Sequence, residues 1–256
     1  MTHLLDLPRP LVMAHRGDAV HAPENTFASF RRALQAGANI LETDLWFTQD
    51  EVLVCHHDRT LERVTDGTGA IPERTLAELK QVRVVRSYCG QFSETDYPDE
   101  RIPTLQELLA FVPEDVGLAL ELKDPRLSEP GAARQLIETI RPRIEARTVL
   151  LLSFHVDLLR AARRCAPDVW IGKIGLFSPI PIFGGNGIGT TWPAIKWNPL
   201  YVFIAHLQRL WVCPLDPTPE ERLGRYLRMG VDAVLTDDPG RTQRALAALS
   251  AGRGGG

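Results

Sequence analysis

Residues 39–58 read NILETDLWFTQDEVLVCHHD. This stretch contains two strand-like apolar runs, at 39–46 and 52–57, and only a few polar residues separate them. A parallel crossover needs about a dozen residues or more, so the second run has to return as the antiparallel arm of a hairpin. We therefore place this arm outside any parallel sheet that the rest of the chain forms.

Strand-like and helix-like segments alternate to the end of the chain, which is typical of parallel βα units. With the hairpin arm set aside, eight strand candidates remain, at 10–15, 39–46, 116–122, 148–153, 169–176, 190–197, 209–214 and 232–236. Eight such units in 256 residues predict an α/β protein with the TIM (β/α)8 barrel fold. An active site is then expected at the C-terminal ends of the strands. We expect one domain over 1–256, with 59–103 as a small insertion over the active-site face.

The bulk composition is that of an ordinary soluble protein, with 44% hydrophobic and 24% charged residues and a net charge of −3. There is no basic excess to indicate nucleic-acid binding. The N-terminal MTHLLDLPRP lacks the apolar core of a secretory signal, and no apolar run approaches the roughly 20 residues of a membrane span. Four cysteines, scattered without paired spacing, are typical of reduced thiols, so we expect a cytoplasmic protein.

Three carboxylates are expected to meet at the strand ends. Glu42 and Asp44 are two residues apart in the second strand and share one face, and Glu121 ends the third strand. Adjacent strands lie about 5 Å apart, so the three side chains can share one hard cation. An all-oxygen ligand set favours Mg²⁺ or Ca²⁺. The structural alternative for the first two is a buried ion-pair network with Arg31 or Arg32.

Two histidines and two cations are predicted at the same rim. His15 ends the first strand and precedes Arg16, while His57 ends the hairpin arm and Lys123 follows the third strand. Such a set suits phosphate chemistry, in which a metal and two cations hold an anion and the histidines move protons. Each residue alone is more ordinary as a rim hydrogen-bond partner or a salt bridge. Their convergence on three consecutive strands and the adjoining hairpin favours the chemical interpretation.

The motifs of this site occur along nearly the whole chain. They are HRG (15–17), PENT (23–26), ETD (42–44), HHD (56–58), RIPTL (101–105), LELK (120–123), SF (153–154) and GVDAVLTDDP (230–239). In these motifs and their order the chain resembles the glycerophosphodiester phosphodiesterase family. The resemblance implies a TIM barrel with an insertion after the His-Asp motif.

The resemblance also implies an activity and a role for seven side chains. The expected reaction is metal-dependent hydrolysis of a small glycerophosphodiester to an alcohol and sn-glycerol 3-phosphate. Acid–base, metal-binding and phosphate-binding roles fall respectively on His15 and His57, on Glu42, Asp44 and Glu121, and on Arg16 and Lys123. Which histidine is the base, and whether a glycerol hydroxyl or water attacks, stay open at this point.

Two segments depart from the family pattern. A Trp-Thr-Val-Asn run usual in the seventh strand aligns with Cys213-Pro214-Leu215-Asp216, although Trp211 lies two residues earlier on the same face. After the fifth strand comes LFSPIPIFGGNGIG, at 176–189, an apolar loop rich in Gly and Pro. A packed lid is its more ordinary interpretation, and transient contact with lipid is the alternative.

The departures leave alternative activities open. If the loop accepts an acyl chain, the enzyme would act as a lysophospholipase D or show sphingomyelinase D-like activity. Its large apolar side chains would then form an exposed patch instead of packing on a helix at 199–208; they are Leu176, Phe177, Ile180, Ile182 and Phe183. We rank the water-soluble glycerophosphodiester first. A catalytically silent barrel serving as a binding module is disfavoured, because the full set of histidines and carboxylates is intact.

Overall fold

The computed structural model describes residues 9–251. The N-terminal stretch from which we expect no secretory signal lies mostly outside these residues. Within 9–251, no helix combines the length and the apolar character that crossing a bilayer requires.

Nine strands form one sheet, which curls into a nearly closed barrel. They are β1 (Leu11–His15), β2 (Ile40–Phe47), β3 (Leu53–Cys55), β4 (Gly117–Leu122), β5 (Val149–Ser153), β6 (Trp170–Gly175), β7 (Gly187–Thr190), β8 (Trp211–Val212) and β9 (Ala233–Thr236). Eight of them pair in the order β8-β7-β6-β5-β4-β2-β1-β9 through parallel ladders. The short β3 pairs antiparallel with β2, as the hairpin prediction required. The predicted TIM barrel is confirmed.

Helices surround this barrel, and side-chain caps fix where several of them begin. They are α1 (Phe27–Gln35), α2 (Leu76–Leu79), α3 (Leu105–Phe111), α4 (Pro130–Glu145), α5 (Val156–Cys165), α6 (Trp192–Trp197), α7 (Tyr201–Leu207), α8 (Leu223–Met229) and α9 (Pro239–Ala251). Thr26 caps α1 in a capping box with Ser29, so the PENT segment leads directly into the first helix.

One strand prediction is wrong. The segment 190–197 forms the short helix α6, which has Pro193 in its first turn, and the strand is the preceding Gly187–Thr190. Proline is compatible with the first turn of a helix, whereas it removes a ladder hydrogen bond inside a sheet. The count of eight survives because β7 lies in the glycine-rich segment that the sequence assigned to a loop.

Strand alternation separates the barrel interior from the helical layer. In β2, Ile40 packs with the small interior cluster, and Leu41 and Leu45 pack in the outer apolar layer. Glu42 and Asp44 share the alternation of Ile40 and therefore face inward. The fold thus directs both carboxylates toward the barrel axis.

Two features break the regularity of the barrel. The β6–β7 crossover, residues 176–186, contains no helix. Between β8 and β9 the strand ladder is replaced by two contacts: Asp232 N–H donates to Val212 O at 2.9 Å, and Val212 N–H donates to the Asp232 carboxylate at 2.7 Å. We call this place the β8–β9 seam.

Residues 59–103 contain α2 and a 3₁₀ turn at Ile71–Glu73, and they pack around a small apolar cluster of their own. This segment touches the β1–α1 loop through Gln91, whose N–H donates to Val20 O at 2.7 Å. It also contributes Arg63 and Tyr88 to the strand-end site described next.

Candidate active site

Three buried carboxylates converge at the C-terminal ends of β2 and β4. The parallel register sets Asp44 opposite Glu121, and it sets Glu42 beside His15 of β1. One carboxylate oxygen from each of Glu42, Asp44 and Glu121 lies within 4.8 Å of the other two. The structure therefore brings together the three residues that the sequence analysis grouped.

Two cations hold this acidic cluster from either side. Lys123 Nζ lies 2.8 Å from a Glu121 oxygen and 3.3 Å from Asp44 Oδ1, while Arg16 Nε lies 3.4 Å from Asp44 Oδ2. Against the effect of burial, Arg16 and Lys123 hold the pKa of Asp44 well below its usual range. Arg31 and Arg32, the partners of the structural alternative, lie elsewhere: Arg31 stacks on Phe111 and Arg32 pairs with Asp18.

The two cations do not neutralise the whole cluster. Burial, then repulsion from Asp44, raises the pKa of Glu121 to about 7, and burial and both neighbouring carboxylates raise the pKa of Glu42. Within the described chain, buried Asp44 Oδ1 accepts no hydrogen bond. Three carboxylates lie at mutual ligand distance, and one of their buried oxygens accepts no hydrogen bond from the described residues although Lys123 Nζ is 3.3 Å away. This arrangement fits a hard divalent cation.

The β1–α1 turn presents Arg16 to this cluster. Arg16 and Gly17 both adopt positive φ, of 58° and 86°, and a Cβ on Gly17 would lie within 2.7 Å of Ser29 atoms. Only glycine fits there. Glu24 accepts from Arg16 Nη1 at 2.8 Å, and Asn25 donates to Asp44 Oδ2 at 3.1 Å, so the PENT segment braces both partners.

Each of the two predicted histidines is held by an aspartate. His15 Nδ1 lies 2.8 Å from Asp237 Oδ1, and His57 Nδ1 lies 2.6 Å from Asp58 Oδ1. A carboxylate on Nδ1 fixes the ring and leaves Nε2 for another partner. Both rings line the same cavity. Burial lowers the pKa of His57.

His56 points the other way. It is buried, and its Nε2 lies 3.1 Å from Thr60 O, on the side of the insertion. Burial lowers the pKa of this imidazole too. His56 and His57 follow β3, which ends at Cys55, and they point to opposite sides as the predicted alternation requires.

Sequence reasoning assigned no role to three residues that complete the site. Tyr88 of the insertion hydrogen-bonds Asp237, and its ring lies 5.2 Å from the Arg16 guanidinium carbon. Arg63 bridges Asp58, at 2.5 Å, and Glu24, at 2.9 Å. A signal existed only for Asp237, which stands within the TDDP motif; the other two lie in a segment without recognisable spacing.

A cavity of about 380 Å³ extends from the two histidines into the barrel. Its deeper wall is apolar and includes Leu150, Ile188, Trp211 and Leu235. Bulky branched side chains usually fill a TIM barrel at this level. Here Gly187 stands at a wall position with room for a Cβ, whose closest contact would be 3.5 Å.

The segment in the place of the missing aromatic motif belongs to the same wall. Cys213 and Leu215 both line the cavity, and Trp211 does so from β8. The absence of the tryptophan from this segment is therefore accompanied by an apolar surface next to the rim that carries His15 and His57.

The loop at 176–189 does not form a packed lid. Leu176, Phe177, Ile180 and Ile182 are exposed, whereas Phe183 packs against the core on both sides. Leu176 alone among these five side chains lines the cavity. The expected acyl-accepting patch thus divides into a rim residue, an exposed surface and one structural phenylalanine.

Comparisons with known proteins all identify the same family. Residues 15–178 match the model of the glycerophosphoryl diester phosphodiesterase family. The chain is 31% identical over 239 residues to a glycerophosphodiester phosphodiesterase of Caldanaerobacter subterraneus, covering 90% of this chain and 95% of the relative. It is 29% identical to the Bacillus altitudinis protein of the same name over 246 residues, 90% and 95% of the two chains.

A solved structure shares the whole fold. It is an Oleispira antarctica phosphodiesterase in complex with its product sn-glycerol-3-phosphate. The TM-score is 0.78 at 27% identity, with 93% of this chain and 97% of the other covered.

Proposed function

This chain belongs to the glycerophosphoryl diester phosphodiesterase family, and from that premise we propose that it hydrolyses glycerophosphodiesters with a divalent cation and two histidines. The products are an alcohol and sn-glycerol 3-phosphate. The observation that carries the proposal is a cluster of three buried carboxylates, two of which line one cavity together with two cations and two aspartate-held histidines.

Glu42, Asp44 and Glu121 would hold the cation, Mg²⁺ or Ca²⁺ by their all-oxygen chemistry. When bound, the cation supplies a positive charge to the non-bridging phosphate oxygens. Arg16 and Lys123 border the same cluster and present their charges to the phosphate from two further directions.

His57 and His15 divide the proton transfers. The reaction needs one neutral imidazole to take a proton from the attacking hydroxyl and one imidazolium to give a proton to the departing alkoxide. Burial lowers the pKa of His57, which favours its neutral form, so we assign it as the base. His15, held by the Asp237 carboxylate, is then the acid. Water and an adjacent glycerol hydroxyl are both compatible as nucleophiles.

The substrate class follows from the two ends of the cavity. A small glycerophosphodiester needs only the polar rim, and the Oleispira relative holds sn-glycerol-3-phosphate. The apolar wall beneath the rim supports a second candidate, a monoacyl glycerophospholipid whose chain enters the barrel. We rank the small diester first. The cytoplasmic location stays a prediction from the sequence.

The test compares turnover of glycerophosphocholine, glycerophosphoethanolamine and lysophosphatidylcholine with Mg²⁺, with Ca²⁺ and with a chelator. We expect sn-glycerol 3-phosphate from the first two, lost on chelation and restored by the metal. Turnover that survives chelation would contradict the metal dependence. Turnover of lysophosphatidylcholine alone would replace the first candidate by the second, and no turnover of any diester would leave the barrel as a binding module.

A further inference from the structure

Exposed apolar side chains concentrate on one part of the molecule. Of ten large hydrophobic residues exposed within 9–251, eight come from 176–207. We call these eight the apolar face; they are Leu176, Phe177, Ile180, Ile182, Trp197, Leu200, Phe203 and Leu207. Trp197 is 70% exposed and Phe203 is 60% exposed, values that burial in the chain's own core would not leave. Exposed apolar patches of this kind mark interaction sites.

The apolar face is continuous because hydrogen bonds fasten the helix-less crossover to α6 and α7. Asn198 Nδ2 donates to Pro179 O at 2.9 Å, and Gln208 Nε2 donates to Pro181 O at 2.6 Å. Thr191 Oγ1 donates to Leu176 O at 2.5 Å. The crossover therefore lies against the two helices, and their exposed side chains form one surface.

The segment that carries this surface has charges of one sign. Residues 169–215 contain no Asp or Glu, a run of 47 positions, yet they include Lys173, Lys196 and Arg209. Arg160 and Arg164 of α5 line a groove with Phe183 beside the crossover. Apolar and aromatic side chains with a basic rim complement a lipid surface that carries anionic headgroups.

The apolar face also reaches the catalytic cavity. The crossover begins at the C-terminal end of β6, and Leu176 is both 69% exposed and part of the cavity lining. A bilayer in contact with Leu176 and Phe177 would therefore lie beside the mouth through which substrate enters.

We propose that the apolar face docks this protein on phospholipid bilayers that contain anionic lipid. A second copy of the chain is the competing occupant. Self-association would bring Lys196 and Arg209 of one copy against the same basic rim of the other, without an acidic partner in 169–215. The charge pattern thus favours the bilayer.

The test measures binding to vesicles by co-sedimentation, without turnover, so that its failure is separate from failure of the proposed function. Vesicles of phosphatidylcholine alone and with phosphatidylglycerol are compared, with the chain's mass in solution measured alongside. We expect binding to the anionic vesicles and at least tenfold weaker binding to the neutral ones. The double variant Trp197→Ser/Phe203→Ser should lose binding by at least tenfold and keep turnover of glycerophosphocholine.

Charge variants sharpen the test. Lys196→Glu should weaken vesicle binding about fivefold or more, since each lysine near an anionic surface strengthens binding by about fivefold. Arg134→Glu, an exposed arginine of α4 away from the apolar face, should leave it unchanged. Equal loss from both charge variants, no vesicle binding by the parent chain, or a stable dimer that the double variant disperses would each overturn the proposal.

Discussion

The two sides of the barrel differ in the kinds of side chain that their strand ends carry. On the β1–β2–β4 side the strand ends carry buried charge, and nearly every group has a named partner, as in the Arg16–Glu24 and Lys123–Glu121 pairs. On the β6–β7–β8 side the strands carry glycine, the crossover has no helix, and apolar side chains line a cavity or face outward. The first side holds its charged groups in specific contacts, and the second leaves a cavity of about 380 Å³.

Under the proposed function, we infer that this contrast separates the reaction from the choice of substrate. A phosphodiester group is the same in every substrate of the family, so charge and proton donors have to be fixed. The alcohol or acyl portion varies, and an apolar cavity accommodates it by area alone. We therefore expect substitutions on the first side to change turnover for all substrates, and those on the second to change preference among them.

The largest effect is expected from Glu42→Gln. It removes one charge from the metal cluster, so metal binding and turnover should fall together, by about 10³-fold in kcat/KM if a cation contributes several kcal/mol. Calorimetry for the metal and a product assay measure both quantities, and circular dichroism should show an unchanged fold. Glu138→Gln on the exposed face of α4 is the matched control. Full activity in Glu42→Gln would contradict the proposal that the charged β1–β2–β4 side carries out the reaction.

Next come the histidines. His15→Ala and His57→Ala should each lower kcat by at least about 10²-fold for every substrate. His56→Ala is the internal control: it should leave kcat within a few-fold and lower the free energy of unfolding by about 1–3 kcal/mol, because a buried hydrogen bond to Thr60 is lost. If His56→Ala lowered kcat strongly and left stability unchanged, His56 and not His57 would be the reacting histidine of the hairpin arm.

The third prediction concerns pH. The pKa of Glu121 is raised to about 7 from an ordinary 4.5, so the metal-free folded chain holds a proton that the unfolded chain has lost. Metal-free stability should therefore fall as pH rises from about 4.5 to 7, whereas metal affinity should rise, by at most about tenfold per pH unit for each proton released. Calorimetry in buffers of different ionisation enthalpy counts the protons. Affinity that weakens with rising pH would contradict this account.

The smallest effect tests the apolar side. Gly187→Val places three carbons on a cavity wall where a Cβ fits. If an acyl chain occupies the space, displacing one or two methylenes should lower kcat/KM for lysophosphatidylcholine by about 4–15-fold, at about 0.8 kcal/mol each. Glycerophosphocholine should be unaffected, as should both substrates in the Gly131→Ala control. Equal loss of kcat/KM for both substrates would mean that the substitution disturbs the barrel as a whole and does not act on acyl binding.

The sequence predicted the charged side well for a physical reason. Period-two alternation fixes which face Glu42 and Asp44 occupy, and a gap too short for a crossover fixes the hairpin that carries His57. Both are local rules, and the parallel fold then places local features at one rim. Tyr88 escaped prediction because its contact with Asp237 depends on how an irregular segment of the insertion folds back.

The structure of the apolar side could not be predicted from the sequence for another reason. Two of the four residues of the strand Gly187–Thr190 are glycines, which weaken the strand signal, and its neighbours in the sheet stabilise it instead. The Trp-Pro segment that follows looks like a strand by composition and becomes helix α6 because proline is acceptable in a first turn. Exposure of Trp197 depends on the absence of a covering element, which no local pattern encodes.

The β8–β9 seam is the place where we expect the barrel to open locally. Six residue pairs join β2 to β4, and two join β7 to β8, before the ladder stops at the seam. The Asp232 carboxylate accepts a hydrogen bond from the edge amide of Val212, so this amide is not free to pair with another chain. Separating the strands there breaks a few contacts, whereas separating β2 from β4 breaks a whole ladder. Amide hydrogens should therefore exchange with solvent fastest near β8 and slowest at β2 and β4, so that the ring opens from the apolar cavity while the charged side stays folded.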